Sequence, residues 1–221
     1  KLTVIDLHTH TLFSDGELVP AELIRRAEAI GYKAIALTDH VDSSNIDLVV
    51  PRIAAAIKKM RDYISIEAIP GAEITHAPPR IIPDLVKEAR LLGAGIVVVH
   101  GETLVEPVAP GTNRAAIESN ADILAHPGLI SEEDILFAKE NGVTLEITAR
   151  KGHSLSNGHV AAMAMRFGAP ICINTDAHSP LDLITRDFAR KILLASGIEG
   201  DRVESVFEHS KAIIEKIRRR D

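Results

Sequence analysis

The sequence predicts an α/β fold in one domain, a closed or nearly closed barrel of seven parallel strands with helices between them. Three observations carry that expectation. Short β-rich runs alternate with longer amphipathic segments along the chain. Runs such as Gly95-Ile96-Val97-Val98-Val99 are apolar throughout, as strands covered on both faces of a parallel sheet must be. No linker, low-complexity tract or composition shift divides residues 1–221, and that length suits one such domain.

The first strand is expected over 2–7. Pro20, tolerated in a first helical turn, opens a helix with apolar positions Leu23, Ile24, Ala27 and Ile30 at helical spacing, and Gly31 closes it. The second strand spans 33–37, with a helix near 48–61. The third spans 65–69 or a little more, and its helix, about 82–92, stops at Gly93. The fourth spans 95–99, with a shorter helix near 113–119. The fifth spans 122–124, and Ser131 caps a helix of about 132–140. The sixth spans 143–147 with a helix near 157–167, and the seventh 170–174 with a helix of about 181–194. A last helix covers about 202–219. Its ending Lys216-Ile217-Arg218-Arg219-Arg220 complements a helix C-terminus, a tail for an anionic partner being the weaker alternative.

Composition narrows the function. A net charge of −6 and 3% aromatic residues disfavour binding to extended nucleic acid or stacking on single strands. The single Cys172 excludes an internal disulfide and fits a reducing, cytoplasmic setting as a small core residue. No apolar run reaches the ~20 residues of a membrane span, and the first residues of this chain, which begins at Lys1, carry no signal-peptide pattern.

Ten histidines need an account, and six of them fall just past strand ends, where β/α barrels keep their chemistry. His8-Thr9-His10 follows the first strand, with Ser14-Asp15-Gly16 beyond it. Thr38-Asp39-His40 ends the second, Gly71-Ala72-Glu73 stands past the third, and His100 ends the fourth. Ala125-His126-Pro127 ends the fifth, Glu146 lies on the sixth, and Asp176-Ala177-His178 follows the seventh. Charged groups gathered at one mouth repel unless something binds them, and divalent cations fit. In extended chain, residues i and i+2 face one side, so His8 and His10 can reach one ion, with Asp176 and His178 near it. Nine such groups exceed what one catalytic zinc uses and suffice for two or three ions, of which zinc, manganese and iron are all compatible.

The ordered set His8-Thr9-His10, Ser14-Asp15-Gly16, Thr38-Asp39-His40, Gly71-Ala72-Glu73, His126-Pro127 and Asp176-Ala177-His178 resembles the PHP (polymerase and histidinol phosphatase) superfamily across nearly the whole chain. The resemblance implies a distorted seven-stranded barrel with a trinuclear metal centre. By matching position it implies His8, His10, Glu73 and Asp176 on a first ion. Glu73 would bridge to a second ion, completed by His100 and His126; Asp15, His40 and His178 would hold a third. No ligand position of the family pattern is missing, which argues against a metal-free scaffold.

The expected chemistry is hydrolysis of a phosphomonoester on a small metabolite, of the histidinol-phosphatase type. The nucleophile would be a metal-bridging hydroxide held by Glu73, His100, His126 and Asp176. Arg150, Lys151, His153 and Arg186 are candidates for the substrate phosphate. Asp39 and Asp42 either orient a ligand, cap a loop or lie on the surface; Glu146 either supports a ligand or is a buried paired acid. Glu102, Thr112 and Asn113 are candidates to shape a pocket, while His76, His159 and His209 read as surface or packing residues. Rival functions are a nucleotide or oligonucleotide phosphodiesterase, a non-catalytic domain, and a metal-dependent amidohydrolase.

Overall fold

The structure is a computed structural model and describes residues 4–220; the expected strand residues Leu2 and Thr3 lie outside them. Seven parallel strands follow one another around a nearly closed barrel: β1 (Val4–Asp6), β2 (Tyr32–Leu37), β4 (Glu67–Ile74), β5 (Ile96–His100), β6 (Ile123–Ala125), β7 (Thr144–Thr148) and β8 (Ile171–Asn174). A two-residue strand, β3 (His40–Val41), pairs with the upper part of β4. The intervening helices are α1 (Pro20–Ile30), α2 (Ile46–Met60), α3 (Ile82–Leu91), α4 (Thr112–Glu118), α5 (Glu132–Asn141), α6 (Asn157–Phe167) and α7 (Arg186–Ala195), and α8 (Asp201–Arg218) ends the chain. The barrel seam lies just past β1 and β8. There Thr9 and Ala177 form a parallel bridge; His10 N donates to the Ala177 carbonyl and Asp176 N to the His8 carbonyl, each at 2.9 Å.

Strand alternation sorts the core into two parts. Outward residues such as Ile35, Leu37, Val97, Val99, Leu145 and Ile147 pack against the helices. Inward residues Ala34, Ala36, Ile69, Ile96, Val98, Ile123, Ala125 and Cys172 form a separate interior cluster, joined by Ile213, Ile214 and Ile217 of α8. The last helix therefore seals one end of the barrel. Its basic ending is used there: Arg218 pairs with Glu67 at the start of β4, and Arg220 Nη1 lies 2.8 Å from Asp122 Oδ1 just before β6.

Three boundaries differ from expectation. The third strand runs on to Ile74, so Glu73 lies within it rather than past it, in register with His40 on one side and Val98 on the other. His40 itself opens β3, a strand too short to leave a period-two signature. The helix expected over 181–194 begins only at Arg186. A short 3₁₀ turn, Pro180–Asp182, precedes it, because the Asp182 carboxylate folds back onto the Ser179 N–H and Leu183 turns extended.

Ile214→Ala should cost about 2–5 kcal/mol in urea unfolding, since it opens a void in the barrel plug. Arg218→Ala, which removes a solvent-exposed pair, should cost less than about 1 kcal/mol.

Candidate metal centre

Four inward strand series, those of β4, β5, β7 and β8, end in or carry a group with chemistry. On β5 the order is Ile96, Val98, His100; on β8, Cys172, Asn174, then Asp176 beyond the strand. On β4 it is Ile69, Gly71, Glu73, and on β7 the inward Glu146 stands in register with Cys172. The apolar barrel interior thus becomes polar toward its C-terminal mouth. Two glycines permit close chain packing there. A Cβ on Gly16 would stand 2.5 Å from the His10 carbonyl oxygen, and one on Gly101 would stand 2.3 Å from that of Ala125. Among the described residues, three of the four non-glycine residues with positive φ, His76 (51°), His126 (29°) and Asp176 (54°), lie at this mouth. Such backbone costs on the order of 1–3 kcal/mol each and persists where its surroundings enforce it.

The nine expected ligands converge. His8 Nε2 lies 3.2 Å from Glu73 Oε1 and 3.6 Å from Asp176 Oδ1. His10 Nε2 lies 3.0 Å from Asp176 Oδ1 and 3.6 Å from Glu73 Oε2. His126 Nε2 lies 3.7 Å from both Glu73 Oε1 and Asp176 Oδ2. Asp15 Oδ1 stands 3.4 Å from His40 Nε2 and 3.2 Å from His178 Nε2. His100, His126 and His153 form a further group, with one ligand atom from each within 4.8 Å of the others.

These contacts fit cations better than each other. His8 Nε2, both ring nitrogens of His10 and of His126, His100 Nδ1, Glu73 Oε1 and Asp176 Oδ1 are buried without a hydrogen-bond partner among the described residues. Leaving such atoms unsatisfied costs about 1–3 kcal/mol each, more where they are charged. Two donors on one tetrahedral ion at about 2.0–2.1 Å stand ~3.3 Å apart, which the separations above bracket. The far sides of the rings are fixed, as metal-binding imidazoles require. His8 Nδ1 meets Glu146 Oε1 at 2.8 Å, and His178 Nδ1 meets the Asp176 carbonyl at 2.9 Å; His40 Nδ1 instead lies 2.7 Å from both Thr75 Oγ1 and the ligand Glu73 Oε2.

Protonation follows the same logic. Burial, with His40 adding to it, pushes His10 down to about 4. Burial and the neighbouring His100 hold His126 well below the usual imidazole range. Burial opposes ionisation of Glu73 and Asp176, yet His8 and other adjacent imidazoles hold both carboxyls well below their ordinary range. Burial also opposes a charge on His8, but Glu146, Glu73 and Asp176 outweigh it and raise its pKa well above the usual value. Ionised carboxylates and neutral imidazoles are the forms that bind metal, so Glu73, Asp176, His10 and His126 are already in those forms. His8, His40 and His100, in which neighbouring carboxylates outweigh burial and raise the pKa, would release protons on binding an ion.

The remaining expected residues divide. Arg150 Nη1 reaches Asp182 Oδ2 at 3.4 Å, and that oxygen accepts the His178 and Ser179 N–H groups at 3.0 and 2.8 Å. Arg150 and Lys151 line an open cavity of about 550 Å³ with Thr175, Leu181, Asp182 and Phe188. His153 is buried and grouped with His100 and His126. The expectation for Arg186 is corrected. Its guanidinium lies 3.8 Å over the Phe207 ring and pairs with Glu204 of α8, because α7 starts where α8 passes. Glu146 supports His8, and its other oxygen lies 3.3 Å from the His126 N–H. Asp39 organises the turn after β1, accepting from Thr11 N and Ser14 Oγ at 2.8 Å each. Asp42 caps its own loop through the Ser44 N–H. His159 and His209 are packing residues, bonded to the Ile130 carbonyl and Thr144 Oγ1. His76 is on the surface as expected, and paired there: its Nε2 lies 2.9 Å from Glu106 Oε2, and Glu106 also lies 3.2 Å from His100 Nε2. Sequence reading missed Glu106, which lies in a Pro-rich loop with no strand-end signal. Its hydrogen bond to His100 leads, over the opposing effect of burial, in pulling its carboxyl down to about 2.

The family model of the PHP domain matches residues 6–150. The chain belongs to the PHP domain family. It is 48% identical over 215 residues to "uncharacterized protein MJ1295" of Methanocaldococcus jannaschii, covering 96% of this chain and 99% of that one. It is 27% identical over 229 residues to "probable phosphatase Teth514_1060" of Thermoanaerobacter sp., covering 90% and 89%. A 97-residue stretch, 44% of this chain and 29% of the relative, is 36% identical to "5'-3' exoribonuclease Rnm" of Salmonella typhimurium. Among solved structures, histidinol phosphate phosphatase of Lactococcus lactis, complexed with zinc, L-histidinol and phosphate, aligns at a TM-score of 0.59 and 16% identity over 90% of this chain and 95% of that one. The last comparison shows a shared fold.

Two substitutions test the centre. Asp176→Ala should lower the metal content of purified protein and shrink the fall in melting temperature caused by a chelator. Glu146→Leu, which frees the back of His8, should weaken metal binding roughly 10–100-fold with the fold retained.

Proposed function

We propose that this PHP protein hydrolyses a phosphomonoester on a small metabolite at a centre of three divalent ions. The observation that carries the reading is the set of buried, unpartnered donor atoms at the barrel mouth, beside a cavity lined by Arg150 and Lys151. His8, His10, Glu73 and Asp176 would hold one ion, Glu73, His100 and His126 a second, and Asp15, His40 and His178 a third. Ions bound there would supply Lewis acidity to a water molecule and to the phosphate oxygens. The protein's own part is positional. Glu146 keeps the His8 Nε2 turned inward by engaging Nδ1 at 2.8 Å. Asp182 holds Arg150 one short turn from His178, where a guanidinium can grip a phosphate in bidentate fashion. Lys151 adds a second positive charge along the same wall. The walls exclude bulk water, since His8, His10, Glu73, His126 and Asp176 are all at most 3% exposed.

A phosphodiesterase or nuclease of short substrates is the second reading, and the partial match to the exoribonuclease favours it. The net charge of −6 favours small substrates over extended nucleic acid. The discriminating experiment compares product release from histidinol phosphate, nucleoside monophosphates and bis-p-nitrophenyl phosphate by metal-loaded protein. Faster turnover of the monoesters is expected; faster turnover of the diester would overturn the phosphatase reading. Arg150→Ala should raise KM roughly tenfold or more, the loss of one charge-assisted hydrogen bond of about 1.5–3 kcal/mol, with metal content unchanged. Lost metal at unchanged KM would assign Arg150 a structural role instead.

A further inference from the structure

We infer that Glu106 and His153, two residues outside the nine-residue family pattern, are additional ligands of the second ion, beside His100 and His126. The inference rests on reading the mouth as a metal centre. Glu106 lies on the loop between β5 and α4 and faces imidazoles from three separate parts of the barrel. Its Oε2 stands 3.2 Å from His100 Nε2 and its Oε1 stands 3.4 Å from His153 Nε2. Both separations are of the size expected between two donors of one ion. Together with Glu73, His100 and His126 the second ion would carry five protein donors, a six-coordinate site with one position left for water rather than a tetrahedral one. The third imidazole, His76, stands 2.9 Å from Oε2 and forms a further candidate group with His100 and Glu106 on the outer side of the cluster.

His153 has the attributes of the expected ligands. It is 7% exposed, and its ring stacks on that of His126 with centroids 4.1 Å apart. Its Nδ1 is fixed at 2.7 Å by Thr103 Oγ1, which leaves Nε2 directed at Glu106. That is the arrangement of His8, whose Nδ1 is engaged by Glu146 and whose Nε2 faces Glu73. His100 and His126 belong with His153 to one group of imidazoles. Both nitrogens of His126 are buried without a partner among the described residues, while on His100 that atom is Nδ1, across the ring from the Nε2 that faces Glu106. An ordinary surface ion pair needs none of this.

The loop is built to deliver Glu106. Glu102 Oε1 accepts from the N–H groups of Gly111 and Asn113 at 2.9 and 3.0 Å, and Asn113 Oδ1 accepts from Glu102 N at 3.0 Å. This clasp closes the base of the loop. Val105 packs over Gly152, whose added Cβ would stand 3.4 Å from it. The second ion would thereby have a carboxylate of its own besides the bridging Glu73, placed on the solvent side of the cluster.

The experiment is calorimetric titration of metal-free protein with zinc, for the wild type, Glu106→Gln and His153→Gln, with visible absorption spectra of the cobalt-loaded forms. Both variants should lose about 100-fold or more in affinity for one and the same class of ion, beyond what loss of a merely supporting residue costs. The other classes should be unchanged, and the cobalt bands should shift. His209→Gln, a packing imidazole, serves as the control and should leave both readouts alone. Unchanged affinities overturn the assignment, and so does weakened binding with superimposable cobalt spectra, which would make the residues positional. Wild-type protein that takes up no zinc would overturn the metal reading itself, a result distinct from either.

Discussion

Carboxylates and imidazoles buried together without enough hydrogen-bond partners set the terms for the rest of this molecule. Glu73 and Asp176 are held ionised, His10 and His126 are held neutral, and several of their atoms meet no donor or acceptor of the described chain. Desolvation makes such a cluster costly by itself. A cation inverts the balance, because each donor then gains a partner and the carboxylate charges are neutralised. The left-handed backbone at His126 and Asp176 adds to the cost of assembling the site. That cost is borne by the large apolar core around it.

Barrel architecture makes the arrangement possible. On β4, β5 and β8 one period-two pattern gives an inward series, apolar at the bottom and ionisable at the top. Ile96, Val98 and His100 are three steps of a single series, and so are Cys172, Asn174 and Asp176. The lower interior is filled by small and medium side chains and sealed by Ile213, Ile214 and Ile217 of α8. The seam between β1 and β8 is closed by hydrogen bonds between the segments that carry His8, His10 and Asp176. Barrel closure and assembly of the site are therefore one structural event.

The approach to the centre is asymmetric. On one side Arg150, tethered by Asp182, stands beside the His178 segment and an open cavity. On the other, the loop after β5 leans inward, with Glu106 among His76, His100 and His153.

The sequence alone determined the β/α alternation, the strand count and the nine residues past or within the strands. Those features are local: helical and strand periodicities repeat over a few residues, and strand ends can be located without knowing what lies across the barrel. His8-Thr9-His10 and Asp176-Ala177-His178 carry their own spacing, so both were legible. Tertiary structure alone decided what depends on a segment's return path. Arg186 looked like a rim cation until α8 brought Glu204 and Phe207 against it. His76 is a surface residue, as its sequence position suggests, but only the path of the loop after β5 decided that Glu106 pairs with it. His153 could be placed at the mouth but not beside His126, because no periodicity relates β6 to the turn after β7. The last helix was legible as a helix and not as the barrel plug, since its docking face is set by a cavity made from seven distant strands.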